Sequence, residues 1–279
     1  MRTSSTAFAA LSALFLCAAS AAADDQPFLT LYTTDIQPEG GREFEQWLMW
    51  KTGHANESFN SFESRSEIEY GFTDDLQGSL YLNYDWERDR EHPVLGPADT
   101  ADAVGVSGEL IWRVMNPYFD PFGLAFYVEP SISASERAFE TKILFQKDFF
   151  NANLRWAVNV NFEDTWEKNP LGHWDPASAL EFNTGLAYNV TPEFSVGVEF
   201  DNERGFDGLI LGGSPDAQTD SYYFGPTIQY VGHPWAVTFG AQMQLPWAGN
   251  PAHLAGNVVD GYTAGGEHFR LAFKVSRDF

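Results

Sequence analysis

The feature that most restricts the fold of this chain is a period-two alternation of apolar and polar side chains. In the segment LRWAVNVNFE, residues 154–163, one parity holds Leu, Trp, Val, Val and Phe, and the other holds Arg, Ala, Asn, Asn and Glu. The segment LQGSLYLNYDWE, residues 76–87, repeats the pattern. Because successive side chains of a β-strand point to opposite faces, such segments predict strands with one apolar face. Helical periodicity does not continue beyond a turn or two, so the sequence predicts an all-β fold.

Twelve segments alternate in this way, and most of them are long. They span approximately 43–52, 58–72, 76–88, 103–115, 123–133, 138–148, 153–163, 179–190, 194–203, 220–230, 235–245 and 267–279. The first span is the weakest, because REFEQWLMWK alternates poorly. Strands of soluble proteins usually have about 5–6 residues, whereas most of these have ten or more. An even number of long strands favours a transmembrane antiparallel up-and-down β-barrel.

The connections between these strands alternate between short and long. The short ones are 73–75, 116–122, 149–152, 191–193 and 231–234, and the long ones are 89–102, 164–178, 203–219 and 246–266. The remaining two, 53–57 and 134–137, are brief. Short turns at one end and longer loops at the other are typical of an outer-membrane barrel with periplasmic turns.

A soluble periplasmic β-domain is the alternative, because alternation alone does not say whether the apolar face meets lipid or a protein core. Aromatic residues near the strand ends favour the barrel, since they match the girdles at membrane interfaces. These residues are Tyr70, Phe72, Trp86, Trp112, Tyr188, Tyr230, Trp235 and Phe279. The length of the strands and the position of the long loops at one end also favour the barrel over a soluble domain.

The N-terminal residues predict export. Arg2 precedes an apolar segment at 7–20, and three alanines at 21–23 offer a cleavage site, so we interpret residues 1–23 as a signal peptide. Residues 24–42 are then a periplasmic N-terminal arm or a partial plug, and residues 43–279 are the barrel. The single cysteine, Cys17, lies in the predicted signal, which leaves the mature chain without a disulfide or a thiol nucleophile.

The charge balance excludes one class of partner. Lys and Arg total 16 against 39 Asp and Glu, for a net charge of −23. Proteins that bind nucleic acid need a basic surface to replace counterions, so we expect no nucleic-acid partner.

The last strand carries a resemblance to known proteins. Phe269, Leu271, Phe273, Val275 and Phe279 share one parity, which only Arg277 interrupts. This ending resembles that of Gram-negative outer-membrane β-barrel proteins, in which the last strand and its terminal aromatic residue are the assembly signal. The resemblance implies that Phe279 and Phe273 are interfacial anchors read by the barrel-assembly machinery. It also implies a location in the cell outer membrane, contact with its lipids and lipopolysaccharide, and periplasmic termini.

Two further segments narrow the resemblance. REFEQWLMWKTG and FESRSEIEYGFTDDLQGSLYLNY, residues 42–53 and 62–84, are similar to an uncharacterised family, a domain of unknown function, of twelve-stranded outer-membrane proteins. That family would cover nearly the whole mature chain. It implies fold and location and supplies no activity, so function has to be argued from the site.

Charged residues on the polar parity are the candidate site, because that face would line the lumen. They are Glu63, Arg65, Glu67, Glu69, Glu109, Arg113, Glu129, Glu140, Lys142, Arg155, Glu163, Glu181, Glu199, Asp201, Arg270 and Lys274. Such a wall predicts a porin-like passive channel for small polar solutes or ions. We expect the narrowest part at the Glu and Arg residues of the second to fourth strands. Alternatively, the charges pair across a closed lumen.

Two other functions remain open. Long outer loops that carry Trp166, His173 and Trp174, or Trp247 and His253, would suit a structural or surface-binding barrel. An outer-membrane lipid hydrolase would need a Ser–His pair, yet five of the six histidines lie in predicted loops or turns and no GxSxG motif occurs. HExxH motifs and EF-hand loops are also absent from the sequence. We therefore expect no enzymatic activity, no catalytic residue, no cofactor and no metal site.

Overall fold

The computed structural model describes residues 26–54, 57–89, 98–169, 171–211, 216–246, 258–259, 262–263 and 266–279. The predicted signal peptide therefore lies outside the described residues. Strands make up the regular structure. They are β1 (Arg42–His54), β2 (Glu57–Thr73), β3 (Leu76–Asp89), β4 (Ala98–Met115), β5 (Gly123–Ile132), β6 (Glu136–Phe149), β7 (Leu154–Lys168), β8 (Trp174–Asn189), β9 (Phe194–Asp207), β10 (Asp216–Gly232), β11 (Trp235–Gln244), β12 (Val258–Val259), β13 (Tyr262–Thr263) and β14 (Phe269–Asp278). Over the described part of the chain, no helix is long and apolar enough to cross a membrane.

Twelve of these strands form one closed barrel. Each strand pairs antiparallel with its neighbour in sequence, while β12 and β13 form a separate two-residue hairpin. The barrel closes where β1 pairs with β14, from Glu43 opposite Asp278 to Thr52 opposite Phe269. Closure leaves no unpaired strand edge, which a β-structure in lipid requires. The prediction of an all-β, twelve-stranded antiparallel barrel is confirmed.

The apolar parity faces outward. On β3, Leu80 is 73% exposed while Ser79 and Tyr81 beside it are each 5% exposed. The same contrast recurs around the barrel, where outward Ile, Leu, Val and Phe side chains are exposed and inward Gln, Asn, Ser and Glu side chains are buried. A soluble domain would bury the apolar face instead, so the outer surface is that of a transmembrane barrel.

The two ends of the barrel differ, although less than the sequence predicts. Short turns at 74–75, 116–122, 150–153, 190–193 and 233–234 share one end with the start of β1 and with the C-terminus. At the other end several strands continue into the predicted loops. The predicted loop 164–178 is reduced to residues 169–173, because Lys168 still pairs with Trp174. The backbone ladder extends beyond the apolar band, where Trp166, Trp174 and Pro176 lie among polar residues and regular alternation no longer reveals the strand.

Exposed aromatic side chains concentrate at the short-turn end. Tyr70, Phe72, Trp112, Tyr188, Tyr230, Trp235 and Phe279 are all exposed and lie within a few residues of a short turn or the C-terminus. Trp86 lies towards the other end and is half-buried. Phe273 also faces outward, and the backbone N–H of Phe279 donates to the carbonyl of Arg42, which fixes the end of the chain beside β1. The role of Phe273 and Phe279 in assembly stays a prediction.

Residues 26–41, which we call the arm, lie inside the barrel at the short-turn end. Their apolar side chains form three clusters with inward-facing residues of the wall. Ile36 packs with Ile111, Ala125, Tyr127 and Leu144; Phe28 and Leu31 pack with Ala157 and Ala187; Leu29 packs with Met49 and Ala272. The arm also explains the poor alternation of β1, because Trp47 and Met49 face inward to cover Leu29.

Candidate functional site

All sixteen charged residues predicted to line the lumen are buried or half-buried on the inner wall, and they fall into three groups. One group lines a cavity at mid-height, a second holds the arm, and a third packs within the wall. The first comprises Glu63, Arg65, Glu67, Glu69, Glu140, Lys142, Glu163, Glu181, Arg270 and Lys274. The second comprises Arg113, Arg155, Glu199 and Asp201. The third comprises Glu109 and Glu129.

The mid-barrel cavity has a volume of about 320 Å³. Its wall carries eight carboxylates and five cationic side chains, together with Asn161, Asn183, Tyr32 and Tyr81. Every cation has a carboxylate within ion-pair distance. The pairs are Lys51–Glu63 at 2.5 Å, Arg65–Glu129 at 2.5 Å, Lys142–Glu140 at 3.0 Å, Arg270–Glu203 at 2.5 Å and Lys274–Glu45 at 3.6 Å.

Aromatic rings hold three of these cations against the wall, and the shortest distance is 3.5 Å, from the guanidinium of Arg270 to the ring centroid of Tyr223. The guanidinium of Arg65 lies 4.1 Å from the ring centroid of Tyr81, and the ammonium of Lys142 lies 4.4 Å from that of Tyr127. Cation–π contacts gain strength when they are desolvated. The hydroxyl of Tyr81 in turn donates to Glu109 at 2.5 Å, so the ring itself is held in place. These cations are therefore rigid parts of the wall.

One buried carboxylate holds the arm by its backbone. Glu199 on β9 accepts hydrogen bonds from the backbone N–H groups of Leu29 at 2.8 Å, Thr30 at 2.9 Å and Leu31 at 2.7 Å. The hydroxyl of Thr30 donates to the same carboxylate at 2.7 Å. Bonds to an ionised acceptor are roughly twice as strong as neutral ones. Glu199 is fully buried, and these four donors compensate its lost hydration.

Side-chain amides from three other strands hold the rest of the arm. Asn159 accepts from the N–H of Tyr32 at 2.7 Å and donates to its carbonyl at 2.9 Å. Gln146 accepts from the N–H of Thr34 at 2.8 Å, and Gln77 accepts from the N–H of Gln37 at 2.6 Å. Buried backbone groups need such partners. The wall thus supplies the hydrogen bonds that a neighbouring strand would otherwise provide.

Two glycines let the arm approach the wall closely. A Cβ atom on Gly185 would lie 2.6 Å from Phe28 and 2.8 Å from Leu31, and one on Gly123 would lie 2.1 Å from the hydroxyl of Thr34. Any side chain at either position would displace the arm. The shape of the wall, as well as its polarity, therefore matches the arm.

Two smaller cavities lie beside and below the arm. A cavity of about 10 Å³ is lined by Gln26, Glu45, Gln229, Ala236, Thr238, Lys274 and Ser276. A cavity of about 150 Å³ lies at the short-turn end and includes Asp35, Tyr118, Arg155 and Gln229. The smallest cavity shares Gln26, Glu45 and Lys274 with the mid-barrel cavity and Gln229 with the lower one. The smallest cavity therefore adjoins both of the others; residues of β1, β10, β11 and β14 line it, and residues of β7, β8 and β10 line the lower one.

Among the titratable groups outside the strands, Tyr32 and Glu267 have clearly shifted pKa values. Burial raises the pKa of the Tyr32 phenol well above its ordinary value, and the Glu109 carboxylate adds to this effect. Burial by itself would also raise the pKa of Glu267, but the opposite charges of Arg270 and then Lys51 lower it below the ordinary value of 4.5. Tyr32 is therefore neutral in the arm, and Glu267 stays ionised beside Arg270.

Sequence reasoning missed Glu45, Lys51 and Glu203, which also line the mid-barrel cavity. The first two lie on β1, whose alternation was too weak to assign a polar face, and Glu203 lies at the predicted end of its strand. Among the described residues, no group of three or more His, Cys, Asp and Glu side chains could hold a metal ion. The loop residues Trp247 and His253 lie outside the described residues.

Solved structures with this architecture have low sequence identity to the chain. The COG4313 outer membrane channel from Pseudomonas putida F1 is 14% identical, with a TM-score of 0.63, over 88% of this chain and 98% of that one. The NanC porin is 10% identical, with a TM-score of 0.55, over 85% and 100%. The β-domain of the Bordetella autotransporter BrkA is 9% identical, with a TM-score of 0.56, over 86% and 100%. At these identities the likeness shows the shared barrel fold alone.

Comparison of sequences gives a more specific result. None of the curated proteins matches the chain. A model of a protein family does match, and it extends over residues 20–273, from the end of the predicted signal peptide into the last strand. The chain therefore belongs to this family, a family of unknown function designated DUF6662.

Proposed function

We propose that the protein is a porin-like passive channel of the cell outer membrane for small polar solutes or ions. The observation that carries the proposal is the succession of three cavities inside the barrel, which share lining residues and pass the arm on one side. A wall of ion pairs and amides around them suits polar solutes, because these lose less hydration there than against an apolar wall.

The narrowest part lies between the arm and the β1, β11 and β14 wall. The middle cavity, at about 10 Å³, has room for roughly one water molecule. Thr238 lines it and donates a hydrogen bond to the carbonyl of Gln26 at 3.1 Å, which holds the arm close. On this proposal the arm sets the narrowest point, in place of the Glu and Arg residues of the second to fourth strands that we expected, because the arm fills the space between the walls.

Several features support the outer-membrane location. The apolar outer face and its aromatic side chains at the short-turn end suit a bilayer. The fold is shared with a protein described as an outer membrane channel. On this proposal the outer face contacts lipids and lipopolysaccharide, the short turns and termini are periplasmic, and the assembly machinery recognises the last strand.

Single-channel recording in planar bilayers tests the channel. The mature protein should give discrete conductance steps, which should be small because the path past the arm is about one water wide. Thr238→Ala removes side-chain atoms from that path and should enlarge the steps. Thr184→Ala, on the outer face of β8, is the matched control and should leave them unchanged. A correctly folded protein that gives no steps above the leak would contradict the proposal.

A closed structural or surface-binding barrel is the second candidate, and the arm is the observation that favours it. The arm fills the short-turn end of the lumen and is hydrogen-bonded to β3, β6, β7 and β9. If the arm stays docked and only water passes it, the polar side chains of the lumen serve to fill and stabilise the barrel. The recording described above separates this candidate from the channel, because a closed barrel gives no steps in either variant.

A further inference from the structure

The mid-barrel cavity contains hydrogen-bond acceptors that have no donor. Oε1 of Glu67, Oδ1 of Asn161 and Oδ1 of Asn183 are buried and have no hydrogen-bond partner among the described residues. The three side chains are 4%, 3% and 1% exposed, and all line the cavity. A buried acceptor without a donor costs about 1–3 kcal/mol. A solute that brings donors to these oxygens would recover that cost.

The unpaired acceptors face one another across the lumen. Glu67 lies on β2 and Asn183 on β8, and these strands are six positions apart around the ring of twelve, so they lie on opposite walls. Asn161 is on β7, next to β8. Each of the three positions is six or seven residues from the short-turn end of its strand. A solute between the two walls can therefore contact acceptors on both sides.

The charged side chains of the cavity offer no unpaired cation to an anionic solute. Each of the five cations already has a carboxylate partner. By contrast Glu67, Glu163 and Glu181 have no ion pair within the described residues; Glu163 accepts from Thr165, and Glu181 accepts from Asn161. The cavity therefore has more carboxyl groups than cations, and the unpaired atoms named above are acceptors. An anion would meet carboxylates without gaining a free cation.

We propose that the mid-barrel cavity recognises small organic cations with several N–H donors, such as aliphatic diamines or guanidinium compounds, in preference to anions of the same size. The proposal deepens the proposed function, since it names the class of solute that the channel would pass. A volume of about 320 Å³ is at the lower end of the range of small-molecule sites, roughly 300–1,000 Å³. A diamine carries donors at both of its ends, which suits acceptors on opposite walls.

Calorimetric titration of the full mature chain in detergent tests this recognition. The probe is 1,4-diaminobutane, with 1,4-butanediol and succinate as neutral and anionic controls of similar length. Saturable binding is expected for the diamine alone. Glu67→Gln keeps the shape of the side chain and replaces its carboxyl group by a neutral amide, so the diamine should bind about tenfold more weakly. Glu193→Gln, in the exposed turn before β9, should bind like the wild type.

A variant with the opposite effect guards against misfolding as an explanation. Asn183→Asp adds a carboxylate opposite Glu67 at nearly constant volume, and the diamine should bind several-fold more tightly. A damaged cavity would not produce tighter binding. Failure of the diamine to bind wild-type protein, or equal binding in Glu67→Gln, would overturn the inference. Equal affinity for succinate would do the same.

Conductance separates this inference from the proposed channel. If the wild type conducts and the diamine does not bind, the channel stands and the cation preference is wrong. If the diamine binds and no conductance appears, the cavity is a cation-binding site in a closed barrel and the channel is wrong. Where both are observed, the reversal potential in a salt gradient should show selectivity for cations.

Discussion

The link between Glu199 and the arm offers the sharpest test of how the lumen is filled, and the substitution is Glu199→Gln. In the wild type, Oε1 accepts from the N–H groups of Thr30 and Leu31 and from the Thr30 hydroxyl, while Oε2 accepts from the N–H of Leu29. Glutamine can keep the first three as neutral bonds. Its amide NH₂ would then face the N–H of Leu29, so two donors would oppose each other.

The magnitude follows from these four bonds. A hydrogen bond to a charged group contributes about 1.5–3 kcal/mol, a neutral one about 0.5–1.5, and a buried unsatisfied donor costs about 1–3. Neighbouring losses are not additive. We therefore expect Glu199→Gln to weaken docking of the arm by about 3 kcal/mol, which corresponds to roughly a hundredfold larger undocked population.

The assay uses a cysteine in the arm. The predicted mature chain has no cysteine, and Thr33 is 1% exposed, so Thr33→Cys gives one buried thiol. Its rate of reaction with a membrane-impermeant maleimide reports transient undocking. Added to this background, Glu199→Gln should raise the rate by about a hundredfold, and Glu163→Gln, whose carboxylate accepts from Thr165 and not from the arm, should leave it unchanged. Equal rates in all three proteins, or rapid labelling of Thr33→Cys alone, would refute the reasoning.

Three further substitutions test other parts of the structure. Gly185→Val should clash with Phe28 and Leu31, destabilise docking of the arm by about 1–3 kcal/mol and raise the labelling rate of the cysteine in the arm. Gly108→Val is the control and should leave the rate unchanged, because no atom lies nearer than 3.7 Å to the new Cβ. An unchanged rate in Gly185→Val would count against close packing of the arm. The pKa of Glu267 is lowered in the folded protein to about 2, so its stabilising effect is present above pH 4.5 and is lost as the pH falls through about 2. Glu267→Gln should therefore lower the denaturation midpoint at about pH 7 and approach the wild type near about pH 2; a constant difference across this range would exclude the ion pair as its cause. Phe279→Ala should reduce the yield of heat-modifiable folded protein in proteoliposomes that contain the assembly machinery, and it should change the denaturation midpoint less. Phe150→Ala is the control, because Phe150 is also exposed at the short-turn end. A wild-type yield for Phe279→Ala would show that the assembly machinery does not recognise the terminal ring.

The sequence predicted the barrel well because one physical constraint acts on almost every strand. Lipid outside and polar side chains inside impose a two-residue period, which twelve segments display and which the twelve barrel strands reproduce. The inward placement of the charged residues follows from the same period. Prediction was weakest where the constraint is relaxed, at the loop ends of β7 and β8, whose ladder continues to Lys168 and Trp174 beyond the apolar band.

The candidate site was less predictable, because it depends on contacts between distant parts of the chain. Alternation placed Glu67, Glu181 and Glu199 on the inner face, yet it could not distinguish a residue that lines a cavity from one that binds the arm. The arm itself has no periodicity, since its backbone is paired by side chains of the wall. One sequence signal did exist. The inward Trp47 and Met49 on a barrel strand indicate an apolar partner inside the lumen, and Leu29 is that partner.

The path of the arm also has a consequence for the size of the barrel. Glu199 on β9 and Gln77 on β3 bind the arm at Leu31 and at Gln37, and these strands lie on opposite walls, six positions apart. The arm thus spans the full diameter. With strands about 4.8 Å apart, adding or removing one hairpin would change the diameter by roughly 3 Å, more than a hydrogen bond tolerates. The arm therefore selects the circumference of the barrel, because its hydrogen bonds at Leu31 and at Gln37 can form together only when twelve strands have closed around it.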